Sequence, residues 1–139
     1  KTIQTVEEIK NYIRMLLKKI IGVRDTISGR RYSDIIEIAK DQIRKTYMSD
    51  EISLNTVAAE VGMSPSYFSS IFSKEMGKTF VEYLTEIRMD RAKELLMCSS
   101  MKTSEIGYEV GYKDPHYFSY IFKKTQNCTP KEFRARGKE

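Results

Sequence analysis

Two stretches decide the fold. The first is Val57-Ala-Ala-Glu-Val-Gly62, continuing through Ser64-Pro-Ser-Tyr-Phe-Ser-Ser-Ile-Phe-Ser-Lys74. The second is Ile106-Gly-Tyr-Glu-Val-Gly111, continuing through Asp114-Pro-His-Tyr-Phe-Ser-Tyr-Ile-Phe-Lys-Lys124. They align at an offset of 49 residues before the glycine turn and 50 after it, so one residue has been added in the turn. Each copy reads as a short helix ending in Val-Gly, a tight turn, and a second helix with proline at its first position. Glycine suits the left-handed conformation that such a turn needs. Ser64-Pro65 and Asp114-Pro115 pair a capping residue with a proline whose missing N–H had no intrahelical partner. Phe68 and Phe72, like Phe118 and Phe122, lie four residues apart on one helical face. With Ile71 and Ile121 they are expected to bury against Val57, Ala58 and Val61, or against Ile106 and Val110. Small Ala58, Ala59 and Gly107 permit close helix approach. Short helix, glycine turn and capped helix make a helix-turn-helix unit, present twice.

Outward from the repeat, the remaining chain also reads as helix. Thr79-Phe-Val-Glu82 and Thr129-Pro-Lys-Glu132 are capping boxes. From Thr79 to about Cys98 a single helix carries Phe80, Leu84, Ile87, Ala92, Leu95 and Leu96. At about 30 Å it approaches the roughly 34 Å between successive major grooves on one side of B-DNA. The pattern proposes a bar that holds two readers apart. Tyr83 and Tyr112 read as core, and Tyr67 and Tyr117 as packing or phosphate-contacting groups.

The N-terminal segment has apolar residues at Val6, Ile9, Ile13, Leu16, Ile20, Val23 and Ile27. Steps of three and four make a heptad seam over one helix from Val6 to about Ile27. Leu17 and Ile21 widen the apolar face, and Gly22 costs about 1 kcal/mol of helix propensity. Three readings stay open: a dimerising or signal-coupling helix, an amphipathic helix lying on its own domain, and a membrane-surface helix with Lys10, Arg14, Lys18 and Lys19 on its polar side. Residues 28–33 read as a hinge, and Ser33 as the cap of a helix from Asp34 to about Tyr47 that buries Ile36, Ala39, Ile43 and Tyr47.

The 139 residues are 40% apolar and 31% charged, with a formal net charge of +5. This is one ordinary domain or two very small ones, too short for an α/β barrel. Seven glycines and three prolines exclude collagen-like and disordered classes. The cationic excess lies at the two ends, in residues 1–33 and 99–139, so there is no uniform basic stripe. Cys98 and Cys128 form no CxxC pair; they read as small buried fillers of a protein in a reducing compartment. Metal-ligand clusters, a phosphate-binding lysine loop and a nucleophile elbow are absent from the sequence, so no catalysis, metal or cofactor is expected. His116, the only histidine, has no second ligand at metal-binding spacing.

The expected architecture is all-α: two helix-turn-helix subdomains joined by a central linker helix and preceded by an N-terminal amphipathic helix. The divisions are 1–33, 34–78, 79–98 and 99–139. The outward faces are Ser66, Ser69, Ser70 and Ser73 in the first unit, and His116, Ser119, Tyr120 and Lys123 in the second. Lys74, Lys78, Lys123 and Lys124 stand beside or at the ends of these helices as phosphate contacts or as solvated helix-end charges. Arg134 and Arg136 are expected to extend that footprint. The competing expectation is a helical interaction module that pairs through residues 6–27 and does not bind DNA specifically.

Leu54 through Lys74, Ile87-Arg-Met-Asp-Arg-Ala-Lys-Glu-Leu-Leu96, Ile106 through Lys124 and Thr129-Pro-Lys-Glu-Phe-Arg134 together resemble the DNA-binding domain of the AraC/XylS family of bacterial transcription activators. The match spans about residues 34–137. It implies two recognition helices in adjacent major grooves of promoter DNA, with RNA polymerase as a further partner and the cytoplasmic nucleoid as the location. It implies base reading by Ser66, Ser69 and Ser70, and by Pro115, His116, Ser119 and Tyr120. The chain departs from the commoner pattern at four positions. Ser70 and Tyr120 stand where a long basic residue is usual, Gly107 replaces alanine and Asn127 replaces glycine. The N-terminal helix is similar to the connector of family members whose DNA-binding domain follows a receiver or membrane-sensor module, and it is the candidate seam for a homodimer. No membrane insertion is expected.

Overall fold

The computed structural model describes residues 6–19 and 21–137, with the side chains of residue 7 and residues 14–31 outside that description. The helices are α1 (Val6–Lys19), α2 (Ile21–Thr46), α3 (Leu54–Glu60), α4 (Pro65–Met76), α5 (Phe80–Cys98), α6 (Thr103–Glu109), α7 (Pro115–Gln126) and α8 (Pro130–Gly137). Among the described residues there is no strand. The chain forms two compact units, residues 1–35 and 36–139.

The N-terminal unit differs from expectation. Residues 28–33 are helical and lie inside α2, so they form no hinge, and Ser33 is an interior helical residue rather than a cap. Nothing between residues 21 and 46 compels a break: the stretch has no proline, and an internal glycine costs only about 1 kcal/mol. The helix expected over residues 6–27 is recorded as α1 and the start of α2, on either side of residue 20. Val6, Ile9 and Ile13 are 68%, 43% and 48% exposed. Ile20 and the side chains of Leu16, Val23 and Ile27 lie outside the described residues.

In the second unit the two repeats fold alike. After α3 the Met63 N–H bonds the Ala58 carbonyl at 2.9 Å and the Gly62 N–H bonds that of Ala59 at 3.1 Å. After α6, Tyr112 and Gly111 make the equivalent bonds to Gly107 and Tyr108 at 2.9 and 3.1 Å. This pair of closures satisfies the last carbonyls of each short helix and requires a left-handed residue. Gly62 and Gly111 supply it, with φ of 72° and 109°. Both second helices end on a left-handed residue too, Gly77 after α4 and Asn127 after α7, so asparagine takes the glycine role at φ 64°.

Two cores share one helix. Phe68 and Phe72 of α4 are fully buried and meet the ring of Phe80 edge-on, at centroid distances of 6.3 and 6.0 Å. Ile36, Ala39 and Ile43 of α2 and Val57 and Ala58 of α3 are buried in the same half of the chain. The second core joins Met89, Ala92 and Leu96 of α5 to Ile106, Val110, Tyr112, Phe118, Phe122 and Cys128. The beginning of α5 therefore belongs to the first core and its end to the second. Tyr83 lies against Phe72, partly buried, and Tyr112 is buried as expected. Cys128 is buried, but Cys98 is exposed, contrary to expectation. Cys98 is the last residue of α5, and it follows the buried Leu96 out of the apolar stripe.

Candidate nucleic-acid interface

Packing of the paired phenylalanines turns the opposite faces of α4 and α7 outward. On α4, Ser66 and Ser70 are exposed and Ser69 is half-buried. On α7, His116 and Tyr120 are exposed, and Pro115 and Ser119 are half-buried. Ser66, Ser69 and Ser70 fall at i, i+3 and i+4, as do His116, Ser119 and Tyr120, and Pro115 stands four residues before Ser119, so each set shares one face. The starts of both helices are tied down. The Tyr67 N–H donates to the Ser64 hydroxyl at 3.3 Å, and the His116 N–H donates to the Asp114 carboxylate at 2.9 Å. Asp114 is thus spent on capping. Among the described residues no group of three His, Cys, Asp or Glu side chains is placed to hold a metal.

The face of α7 carries an aromatic ladder. The ring of Tyr112 lies 5.9 Å from that of Tyr117, and Tyr117 lies 6.3 Å from Tyr120. The Lys124 ammonium sits 5.9 Å from the Tyr120 ring centroid. A cation over the ring face is attracted by its quadrupole. Tyr120 is therefore steadied from both sides, and Lys124 stays exposed at its edge.

The proposed phosphate contacts divide. Lys74, Lys123 and Lys124 are exposed, and no ion pair engages them among the described residues. Lys78 is held by Glu86 at 2.6 Å, and that hydrogen bond raises the lysine pKa. A phosphate at Lys78 has to displace this carboxylate. Arg134 does not extend the footprint. Its guanidinium turns inward and donates to the carbonyls of Leu96 at 3.0 Å and Ser99 at 3.2 Å, closing the end of α5. Carbonyls at a helix C-terminus lack intrahelical donors, and a cation there satisfies them. Arg136 remains exposed.

One residue escaped functional assignment. Arg88 is buried, 8% exposed. It donates from Nε to the Tyr47 carbonyl at 2.8 Å and from Nη2 to the Ser49 carbonyl at 2.9 Å, just beyond the end of α2. Its guanidinium carbon lies 4.8 Å from the Tyr112 ring centroid. Burial pushes the Tyr112 hydroxyl pKa up, and the Arg88 charge opposes that rise. The sequence signal was available: Leu84, Arg88, Ala92 and Leu96 recur every fourth residue, which puts a cation in the apolar stripe of α5.

Two capped helix-turn-helix units built on one shared helix define a DNA-binding transcription regulator, a class without catalytic chemistry. Residues 57–136 match the helix-turn-helix domain family. A helix-turn-helix-type transcriptional regulator of Pseudoalteromonas carrageenovora is 37% identical over 100 residues, covering 72% of this chain and 58% of that protein. The arabinose operon regulatory protein of Escherichia coli K12 is 35% identical over 127 residues, covering 88% of this chain and 41% of that protein. Among solved structures, the C-terminal domain of AraT, a response regulator from Geobacillus stearothermophilus, superposes with a TM-score of 0.72 at 36% identity. It covers 73% of this chain and 84% of that domain. The C-terminal domain of the response regulator YesN from Fusobacterium nucleatum gives 0.70 at 35% identity, over 70% and 95%. The chain belongs to the AraC/XylS family of transcription regulators and carries its DNA-binding domain. It spans less than two thirds of the curated relatives it matches, from 17% to 58% of the first four.

Proposed function

We propose that the compact unit of residues 36–139 docks on promoter DNA with α4 and α7 in successive major grooves. The observation that carries this reading is the repeat itself: two equivalent capped helices with polar outward faces, built on the two ends of α5. The 19 residues of α5 span about 28 Å, near the roughly 34 Å groove repeat. Ser66, Ser69 and Ser70 read one half of the site; Pro115, His116, Ser119 and Tyr120 read the other. Serine and histidine offer single hydrogen bonds, and Tyr120 an apolar edge for thymine methyls. None makes the bidentate guanine contact of arginine. Water-bridged contacts and DNA shape then carry more of the specificity. Lys74, Lys123 and Lys124 hold phosphates, and Lys78 joins them when released from Glu86.

The protein works in the cytoplasm as an activator that contacts RNA polymerase, downstream of a receiver domain. AraT and YesN are response regulators, which supports the receiver domain upstream. The apolar positions Val6, Ile9, Ile13, Leu16, Ile20, Val23 and Ile27 form the seam of a homodimer. Selection of bound duplexes from a random pool, followed by titration in salt, tests the reading. Affinity should fall with salt at a log–log slope of about −0.9 per phosphate contact, shallower by about that amount for Lys124→Ala. Replacing Ser119 and Tyr120 together by Ala should alter preference in one half of the selected site only. Salt-insensitive binding would leave the helical interaction module as the better account.

A further inference from the structure

We propose that Arg88 is a positioning residue that sets the separation and rotation of the two recognition helices, and with them the half-site spacing the protein accepts. The inference rests on the two-groove docking proposed above. Arg88 stands midway along α5, between Phe80 at the first core and Met89 at the second. Its two donors grip the Tyr47 and Ser49 carbonyls, which follow the helix that precedes the first helix-turn-helix unit. Its guanidinium carbon lies over the ring of Tyr112, in the second helix-turn-helix. Tyr112 in turn packs on Phe118 at 5.8 Å and Tyr117 at 5.9 Å, both in α7. One side chain thus connects backbone before the first reader to the packing of the second.

Two further observations make the junction specific. Arg88 has no carboxylate partner among the described residues, so its buried charge depends on those carbonyls and that ring. Removal therefore leaves two carbonyls without their donors. Gly111 also closes the junction from the other side. A Cβ there would lie 2.5 Å from the Tyr47 oxygen and 2.8 Å from Arg88 Nη2, so the turn of the second unit rests directly on the end of α2. The equivalent Gly62 has open space around its Cβ position. Arg134 grips carbonyls at the end of α5 in the same manner, but Leu96 and Ser99 lie on the side of the second core, to which Arg134 itself belongs. Arg88 alone of the two also touches the neighbouring module.

The test compares selected bipartite duplexes with versions carrying one or two base pairs inserted between the half-sites. It adds duplexes in which one half-site is scrambled. One inserted pair moves the second half-site by about 3.4 Å and turns it about the axis. A rigid wild-type protein should lose at least about tenfold in affinity per insertion, and Arg88→Met should reduce that penalty to below about threefold. Binding of the variant to the native spacing should weaken by about tenfold, while affinity for the scrambled-half duplexes stays within about threefold of wild type. Arg88→Lys keeps the charge but not the fork, and it should fall between the two. Gly111→Ala keeps the Arg88 side chain but drives a Cβ against the Tyr47 oxygen and the guanidinium, and it should also flatten the spacing dependence. If Arg88→Met does not fold, Gly111→Ala and Arg88→Lys decide the matter by the same readout. Variants that keep the wild-type spacing penalty, or that lose half-site and bipartite binding in equal measure, overturn the proposal for Arg88. A wild-type protein indifferent to spacing overturns the two-groove docking as well.

Discussion

Gly62 and Gly111 occupy the same place in the repeat and both are left-handed, yet substitution asks different things of them. At Gly62 only the dihedral matters, since nothing lies within 4 Å of an added Cβ. At Gly111 the same strain comes with backbone and a buried guanidinium in the way. Gly107 is a third case: it is helical, and an added Cβ meets Phe118 side-chain atoms at 3.1 Å, close enough that the ring must give slightly. Alanine there gains up to about 1 kcal/mol of helix propensity against that small displacement. Urea unfolding should therefore rank the three alanine variants. Gly107→Ala should lie within about 1 kcal/mol of wild type. Gly62→Ala should lose about 1 kcal/mol. Gly111→Ala should lose at least about 2 kcal/mol, which a domain of ordinary stability survives folded. A Gly111→Ala protein no less stable than Gly62→Ala would contradict the close approach of Tyr47.

The helices are delimited by chemistry within one turn. α5 and α8 start with reciprocal capping boxes. Thr79 and Glu82 exchange bonds of 2.8 and 3.1 Å, and Thr129 and Glu132 exchange bonds of 2.8 and 3.0 Å. The backbone N–H groups of Thr79 and Thr129 hold the Glu82 and Glu132 carboxyls below their ordinary pKa of 4.5. A carboxylate whose folded pKa is depressed adds stability that is present above its unfolded pKa and lost as pH falls through the folded value. The wild type should accordingly lose stability on acidification below about pH 4.5. Glu82→Gln and Glu132→Gln keep an acceptor but do not titrate, and urea midpoints from neutral to acid pH should fall less steeply in the double variant. Parallel pH curves for the two proteins would remove these boxes as the source. Thr79→Ala and Thr129→Ala should each cost about 1 kcal/mol at neutral pH. The same local rules explain why Lys102 can open α6 without a capping side chain: Glu105 reaches back to its N–H at 3.0 Å.

At the scale of the whole molecule, every buried apolar residue among those described lies at or beyond Ile36. Removing residues 1–33 should therefore leave the melting temperature within about 3 °C and the affinity for a single selected site unchanged. Sedimentation should show the longer protein associating through its heptad seam and the shorter one monomeric. A large loss of melting temperature would place part of the core in the N-terminal segment. In residues 36–139 the helical character, the caps of α4, α5, α7 and α8, the repeat and the buried faces of α4 and α7 were legible from sequence, because each depends on neighbours three or four residues away. The supposed hinge at 28–33 failed for a related reason. A glycine and two serines weaken a helix but do not oblige it to stop. The fates of Lys78, Cys98, Arg134 and Arg88 were less legible. Lys78 finds its carboxylate eight residues on, and Cys98 is exposed by where α5 ends.

By itself the amino-acid sequence determined an all-helical chain, two equivalent turn-and-helix units, the spacer between them and the family to which they belong. Periodicity, capping and turn chemistry act over a single helical turn, and such terms can be read along a line. Tertiary structure alone decided which cations face solvent and which are consumed inside. Arg88 reaches carbonyls 41 and 39 residues away, and Arg134 reaches carbonyls 38 and 35 residues away. Those partners exist only after the helices have packed, because a helix end offers bare carbonyls to whichever donor the folded chain brings near them.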